Sequence, residues 1–418
     1  MAQHLSVFIA GAFAGTLTQS DTGMHSFVYD PSYLGPPLSL SLPLSNRTYR
    51  GRRVDAYLLG LLPDDERIRR EAGRRFGVSG NNPFALLSHM GLDCPGAVQF
   101  CNPGDDDSLT REDGLVPLEE EDIARRLEPR SGNQADTWFR TKERWSLGGN
   151  QSKFALRHDN GKWFECRGSA ATTHILKPGI EGMRLEALDE YVTMKIAHLC
   201  GIPSEDVAYH EFCGIPAIIA TRYDRVVTPD GVLRVHQEDL CQALSVTPDK
   251  KYAEDGGPST PDVIKVLQKT NDPTDSATSF AAMLFFNYLM GAPDAHAKNY
   301  SVLHLSAGRC LMAPLYDAAS GLPYDYSSRG TLRMAMSIGG ENRLGHVGRR
   351  EVQRFAEDAG LPQGTCLNLM ANICTRIISH APIVLAQAEQ DGASGAGELA
   401  ERLLPRLEAH CTRTLQML

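Results

Sequence analysis

Asp294, Asn299 and Asp317 are the residues of this chain whose types and spacing could do chemistry. Asn299 follows Asp294 within Gly291-Ala292-Pro293-Asp294-Ala295-His296-Ala297-Lys298-Asn299-Tyr300-Ser301, and Asp317 ends a later apolar stretch at Tyr316-Asp317. Phosphoryl transfer to a hydroxyl needs such a set. One Asp accepts the hydroxyl proton, while an Asn and a second Asp hold magnesium on the phosphates of ATP. Magnesium is a hard cation and suits carboxylate and amide oxygens. A lone loop Asp is ordinarily just solvated. Here a polar cluster closely follows an apolar helix, and that placement makes Asp294 the candidate base.

These side chains need elements to hold them. The apolar run Phe280 to Met290 belongs to an expected helix Thr278 to Met290 that stops just before Asp294. Leu311 to Tyr316 reads as a strand that would hold Asp317 rigidly. Upstream, Phe154 to Leu156, Lys162 to Phe164 and Thr173 to Pro178 read as strands, the last ended by its proline. Leu185 to Cys200 is an expected helix with Leu185, Leu188, Val192, Ile196 and Leu199 on one face, stopped by Gly201 and Pro203. Val207 to Tyr209 and Ala217 to Ala220 complete a strand-rich lobe. Beyond about 235 the chain turns helical, with Pro261 to Lys269, Gly348 to Asp358, Cys366 to His380 and Gly397 to Leu415. A β-rich lobe followed by a helical lobe is how kinase-like enzymes build a nucleotide cleft. Protein kinases also keep the same Asp-to-Asn interval, but the His-Arg-Asp and Asp-Phe-Gly wording is missing here.

Two further segments fit that chemistry. Lys177, at a strand end, can reach phosphates as a fixed point charge. Glu190 on the next helix could pair with it, and Glu186, one turn away on the same face, is the alternative. Ser146-Leu147-Gly148-Gly149-Asn150-Gln151-Ser152-Lys153 could wrap phosphates with backbone N–H groups, because glycines permit close approach. It matches neither G-x-G-x-x-G nor the Walker pattern, so its position before the first lobe strands carries the reading.

Composition sets the bounds. The 418 residues suffice for two or three domains, and 42% hydrophobic with 22% charged content is that of a globular protein. A net charge of -9 argues against direct nucleic-acid binding. Arg67, Arg69, Arg70, Arg74 and Arg75 read as a solvated helix face opened by Pro63-Asp64-Asp65-Glu66. The ten cysteines form no Cys-x-x-Cys pair, so they read as small buried hydrophobes in a reducing compartment rather than a zinc site. No signal peptide is legible, and Phe280 to Met290 is too short to span a bilayer, so a cytoplasmic enzyme without a membrane partner is expected.

The fold class expected is α+β, two-lobed and protein-kinase-like. Residues 1–102 form a small α+β unit, 103–140 an acidic loop and one exposed helix at a boundary, 141–234 the β-rich lobe and 235–418 the helical lobe.

The chain resembles the HipA serine/threonine kinases, toxins of bacterial type II toxin–antitoxin modules. Four blocks carry the likeness: Ser146 to Leu156; Thr172 to Pro178; His236 to Gln242 with Lys251-Tyr252 and Asp255 to Pro258; and Asp294 to Ser301 with Tyr316-Asp317. The first hundred residues resemble the family's N-terminal subdomain more weakly. The resemblance implies ATP with Mg²⁺ between two lobes. Gly148, Gly149, Asn150, Gln151, Ser152, Lys153 and Lys177 would contact phosphates. Thr221-Arg222-Tyr223 would be the hinge at adenine, and His296, Ala297, Lys298 and Asn299 with Tyr316 and Asp317 would complete the site. Asn299 and Asp317 would hold the metal. Ser146 falls at the regulatory autophosphorylation position, in a loop whose ejection inactivates the kinase. The resemblance further implies phosphorylation of a serine near the ATP-binding motif of an aminoacyl-tRNA synthetase, the glutamyl enzyme as first guess, and so growth arrest. It implies a small helix-turn-helix antitoxin of the HipB type as partner, through which alone the protein would meet DNA.

The chain departs from the family pattern at Thr221, where an acid is expected, and at Ser152, which replaces a Glu and adds a second hydroxyl to the loop. Pro293 stiffens the approach to Asp294. Two other readings remain: a catalytically weak co-repressor acting with an antitoxin, and a kinase for a small molecule or lipid.

Overall fold

The computed structural model describes residues 2–109, 112–128, 138, 143–305, 308–324 and 332–418. It opens on an antiparallel sheet, β1 (Gln3–Ile9), β2 (Ala12–Gln19), β3 (His25–Tyr29) and β4 (Thr48–Arg50), with β5 (Val98–Cys101) added beside β1. Leu5, Val7 and Ile9 alternate along β1 and are buried, as a half-buried strand requires. They share a core with Tyr57, Leu58, Ile68, Leu86 and Leu87 from α1 (Arg52–Gly60), α2 (Glu66–Phe76) and α3 (Pro83–Met90). Asp65 caps α2 by accepting from the Arg67 N–H, and Gly77 ends it at φ 70°. The basic face of α2 is only partly solvated. The Arg69 guanidinium donates to the carbonyls of Pro63 and Asp64 at 2.6 and 2.7 Å, which fixes the segment entering the helix.

The acidic segment carries more structure than its composition suggests. β6 (Glu112–Leu118) is the edge strand of the next sheet, followed by α4 (Glu120–Leu127). Edge pairing needs only backbone groups, so a polar sequence can supply it. Residues 110, 111, 129–137 and 139–142 lie outside the described residues.

The second sheet adds β7 (Phe154–Asp159), β8 (Lys162–Gly168), β9 (His174–Pro178), then β10 (Val207–Phe212) and β11 (Ile215–Thr221), in the order β10-β11-β9-β7-β8-β6. Between β9 and β10 runs α5 (Glu186–Leu199). Leu188, Val192 and Ile196 of α5 are buried as the periodicity requires; Leu199, placed on that face by the sequence, is 41% exposed at the helix end. The hairpin β12 (Arg225–Thr228) and β13 (Gly231–Arg234) leads out of the lobe.

The helical part begins with β14 (His236–Asp239) and α6 (Leu240–Ala243), then α7 (Thr260–Leu267) and α8 (Pro273–Met290). From Phe280 to Met290 α8 is almost wholly apolar and buried, the pattern of a central core helix, while its first turn, Pro273 to Asp275, is exposed. Gly291 ends it at φ 61°, where a Cβ would lie 2.9 Å from Leu322. β15 (Ser301–His304) and β16 (Cys310–Met312) pair beside β14, and β17 (Arg333–Ile338) pairs with β18 (Glu341–Arg343). α9 (Arg349–Ala359), α10 (Gln363–Gln390) and α11 (Ala396–Met417) close the lobe. α10 is long and apolar enough to cross a membrane by length and composition, a property the sequence reading overlooked. In this fold Met370, Ile373, Cys374 and Ile377 of α10 are packed into the same core as α8.

Asp93 joins the units. Its carboxylate is buried among Arg225 (2.7 Å), Arg234 (3.1 Å) and Arg222 (3.4 Å) and accepts from the Thr172 N–H and hydroxyl. Those guanidiniums outweigh the upward push of burial and hold its carboxyl well below the usual range.

Candidate active site

Once Gly291 has ended α8, the chain turns through Pro293 and presents Asp294. Asn299 sits in a single turn, Ala297–Asn299, and its side-chain N–H₂ donates to the Asp294 carbonyl at 3.0 Å. That use of the amide nitrogen leaves Oδ1 as the atom free to meet a cation. The Asp294 side chain faces an open groove and is 68% exposed. His296 beside it is buried. Burial, reinforced by the Lys251 charge, pushes its imidazole down to about 3, so it is neutral near pH 7.

Asp317 is held differently from the expectation. β16 ends at Met312, and Pro314 breaks the ladder that was expected to continue to Tyr316. Asp317 instead occupies the left-handed region at φ 58°. A non-glycine residue there stores about 1–3 kcal/mol of strain, which surrounding contacts must offset. One such contact is clear: the Lys177 ammonium donates to Asp317 Oδ1 and, at 2.6 Å, to Glu190 Oε1. Glu190 is therefore the partner of Lys177. Glu186 instead accepts from the Ile180 N–H at 3.1 Å and from Gln151 at 3.3 Å. Burial pushes the Asp317 carboxyl up, but Lys177 and Lys153 outweigh it and keep it well below its usual range.

One cavity between the lobes is lined by Gly148, Gly149, Lys153, Lys177, Lys298, Asn299, Tyr316 and Asp317, and also by Arg222 and Tyr223. An adjoining groove is lined by Asn150, Gln151, Ser152, Asp294, His296 and Asp317. Asn299, Asp317 and Gly149 border both. Thr221 and Ala297 border neither: Thr221 ends β11 opposite His174, and Ala297 is fully buried. Arg222 lines the cavity, but its guanidinium is engaged by Asp224, Asp93 and Thr172.

The residues fit a nucleotide triphosphate with magnesium. Lys153, Lys177 and Lys298 all line the cavity, and burial pushes the Lys153 ammonium down, which an incoming polyanion would reverse. A Cβ at Gly148 would come 2.6 Å from the fixed Gly60 carbonyl oxygen as well as 2.5 Å from Lys298 Nζ, and Gly149 sits at φ 98°, a conformation strained for any side chain. Among the described residues no cluster of three His, Cys, Asp or Glu could hold a metal alone. One carboxylate and one amide suit magnesium, which takes its other ligands from phosphates and water.

Ser146 lies outside both spaces. It is fully buried, its N–H donates to the Asp93 carbonyl, and its hydroxyl donates to Cys94 Sγ at 3.3 Å.

Sequence reasoning missed three contributors. The Tyr252 hydroxyl donates to Asp294 Oδ1, and its ring packs edge-on against His296. Asp239 accepts from Lys298 at 3.2 Å. Asp64 reaches Lys251 at 2.9 Å and Lys298 at 3.7 Å. Tyr252 and Asp239 lie in a block flagged only by likeness, and Asp64 reads locally as a helix-opening turn. Tyr252 supports a pH prediction. Desolvation by the groove walls raises the Asp294 pKa, while the Tyr252 hydrogen bond lowers it. A base works ionised, so activity falls as pH drops through that pKa. Tyr252→Phe should move the acid limb of the kcat profile to higher pH; an unmoved or lower limb would exclude this contact from catalysis.

Comparison with known proteins places this geometry. The HipA-like C-terminal domain model matches residues 145–381, and the HipA N-terminal domain model matches residues 5–101. The chain belongs to the HipA family. A Sinorhizobium fredii protein named as a kinase is 33% identical over 93% of this chain and 92% of its own. The serine/threonine-protein kinase toxin HipA of Shewanella oneidensis is 28% identical over 97% of this chain and 95% of its own. Among solved structures, the complex of Shewanella oneidensis HipA, HipB and operator DNA contains a chain that superposes with a TM-score of 0.84. It is 26% identical, and the match covers 99% of each chain. The fold is thus the α+β, kinase-like fold of HipA, and the chain is a kinase-toxin family member.

Proposed function

We propose that this HipA-family chain is an ATP- and magnesium-dependent protein kinase for serine or threonine, and the toxin of a module with a HipB-like helix-turn-helix antitoxin. The observation that carries the reading is the convergence of Asp294, Asn299, Asp317 and the Lys177–Glu190 pair on one glycine-bordered cleft. ATP, when bound, supplies the phosphoryl group. The protein's part is positioning and charge. Asp294 accepts the proton of the incoming hydroxyl at its exposed carboxylate. Lys177, fixed by Glu190, meets phosphate oxygens. Asn299 and Asp317 offer their oxygens to magnesium. Tyr223, near Tyr316 with ring centroids 5.7 Å apart, lines the cavity and would meet the purine.

The antitoxin reading draws on the Shewanella oneidensis complex of HipA with HipB and operator DNA. DNA would then be met only through that partner. For substrate we propose a serine of an aminoacyl-tRNA synthetase, the glutamyl enzyme first, in the bacterial cytoplasm. Self-phosphorylation at Ser146 would require its segment to leave its buried place. Incubation with Mg-ATP and purified glutamyl-tRNA synthetase, read by peptide mass, tests the substrate. A phosphoserine beside the synthetase's ATP-binding motif is expected; an unmodified synthetase would remove it as the target.

A further inference from the structure

The N-terminal unit supplies a wall of the cleft. Gly60 and Pro95 border the cavity together with the lysines. From this side Asp64 enters, with a side chain only 8% exposed. Its Oδ2 meets Lys251 Nζ at 2.9 Å, and its Oδ1 lies 3.7 Å from Lys298 Nζ. The same Oδ1 accepts from the Gly149 N–H at 3.3 Å, and the Asp64 N–H donates back to the Gly149 carbonyl at 2.9 Å. Arg69 clamps the segment through the carbonyls of Pro63 and Asp64. Lys298 also donates to the Gly60 carbonyl at 3.0 Å and to Asp239.

This carboxylate therefore touches three parts a phosphoryl-transfer site must align. Gly149 belongs to the glycine loop. Lys298 is on the turn that carries Asn299. Lys251 precedes Tyr252, whose hydroxyl holds Asp294. Burial alone would push the Asp64 carboxyl up, but Lys298 and Lys251 keep it lowered, so it stays charged near neutral pH. A buried charge facing two lysines and a backbone amide costs desolvation that these contacts must offset. It also gives one residue purchase on both walls of the cleft.

We propose that Asp64 is a positioning residue through which the N-terminal unit fixes the glycine loop, Lys298 and the Lys251–Tyr252 segment for phosphoryl transfer. The proposal rests on the kinase reading, and its test separates the two. Hydrogen exchange of the Gly148 to Lys153 amides is measured in the full-length chain for wild type, Asp64→Ala and Asp64→Asn, beside Mg-ATP affinity. Asp64→Ala should speed exchange in that loop at least about tenfold, leave the α8 amides protected, and weaken Mg-ATP binding roughly tenfold, the scale of one charge-assisted contact. Asp64→Asn keeps an acceptor for Gly149 and loses the charge on the lysines. It should restore loop protection but not the affinity. Wild-type exchange in a folded Asp64→Ala variant would overturn the proposal. A wild type that binds no Mg-ATP would overturn the kinase reading, and the exchange result would still decide the role of Asp64.

Discussion

Asp294→Asn is expected to lower the rate of phosphoryl transfer by about 10²–10⁴-fold, the contribution of a positioned general base. The change is isosteric and removes only the proton-accepting charge. The Asp294 side chain faces the groove; its bond from the Tyr252 hydroxyl is one an Asn Oδ1 can still accept, and its other bonds run through the backbone, where the carbonyl accepts from the Asn299 amide at 3.0 Å and from the His296 N–H at 2.7 Å. Fold and Mg-ATP affinity should therefore persist. Single-turnover rates beside equilibrium binding would show a loss confined to the chemical step. A rate near wild type would remove Asp294 from the mechanism, and a parallel loss of affinity would recast it as a binding residue.

Asp93→Ala should give the largest loss of stability, roughly 3–5 kcal/mol, the usual cost of stripping one partner from a buried ionic group. The side chain is 2% exposed and faces three guanidiniums. Without it Arg225 and Arg234 lose a partner each, and the Thr172 hydroxyl loses its acceptor. Arg222 keeps Asp224 at 2.9 Å, which moderates the damage. The pH dependence has a defined sign. The folded carboxyl is held below its unfolded value, so its stabilisation is complete above the ordinary carboxylate range and fades as pH falls toward the folded pKa. Urea unfolding across acid pH should show wild type losing stability more steeply than the variant. A loss below about 1 kcal/mol at neutral pH would mean that the arginines do not depend on Asp93.

The parts of this molecule that rest on local pattern were legible in its sequence. Leu188, Val192 and Ile196 repeat at the helical period, and the apolar run before Gly291 marks a core helix. Phe154 to Leu156 and Thr173 to Pro178 carry strand composition between turn signals. The set Asp294, Asn299 and Asp317 was legible from residue types and spacing, although the element that carries Asp317 was not. Other features depend on contacts the chain makes with itself at long range. The Asp64–Lys251 pair spans 187 positions, and no local pattern encodes it. Glu190 could be chosen over Glu186 only once the twist of α5 relative to β9 was fixed. The strand expected at Leu311 to Tyr316 stopped at Met312 because Pro314 cannot donate to a ladder. The left-handed turn at Asp317 then takes over the task of aiming the carboxylate at Lys177. The buried Ser146 is likewise a tertiary fact, set by Cys94 and Asp93 in the N-terminal unit.

The most direct test of the central claim is intact-mass analysis of the purified protein after incubation with Mg-ATP, beside Asp294→Asn, with peptide mapping. The account predicts phosphate on wild type and none on the variant, at Ser146 once its segment has left its buried place. A wild type that binds no Mg-ATP and gains no phosphate would contradict it.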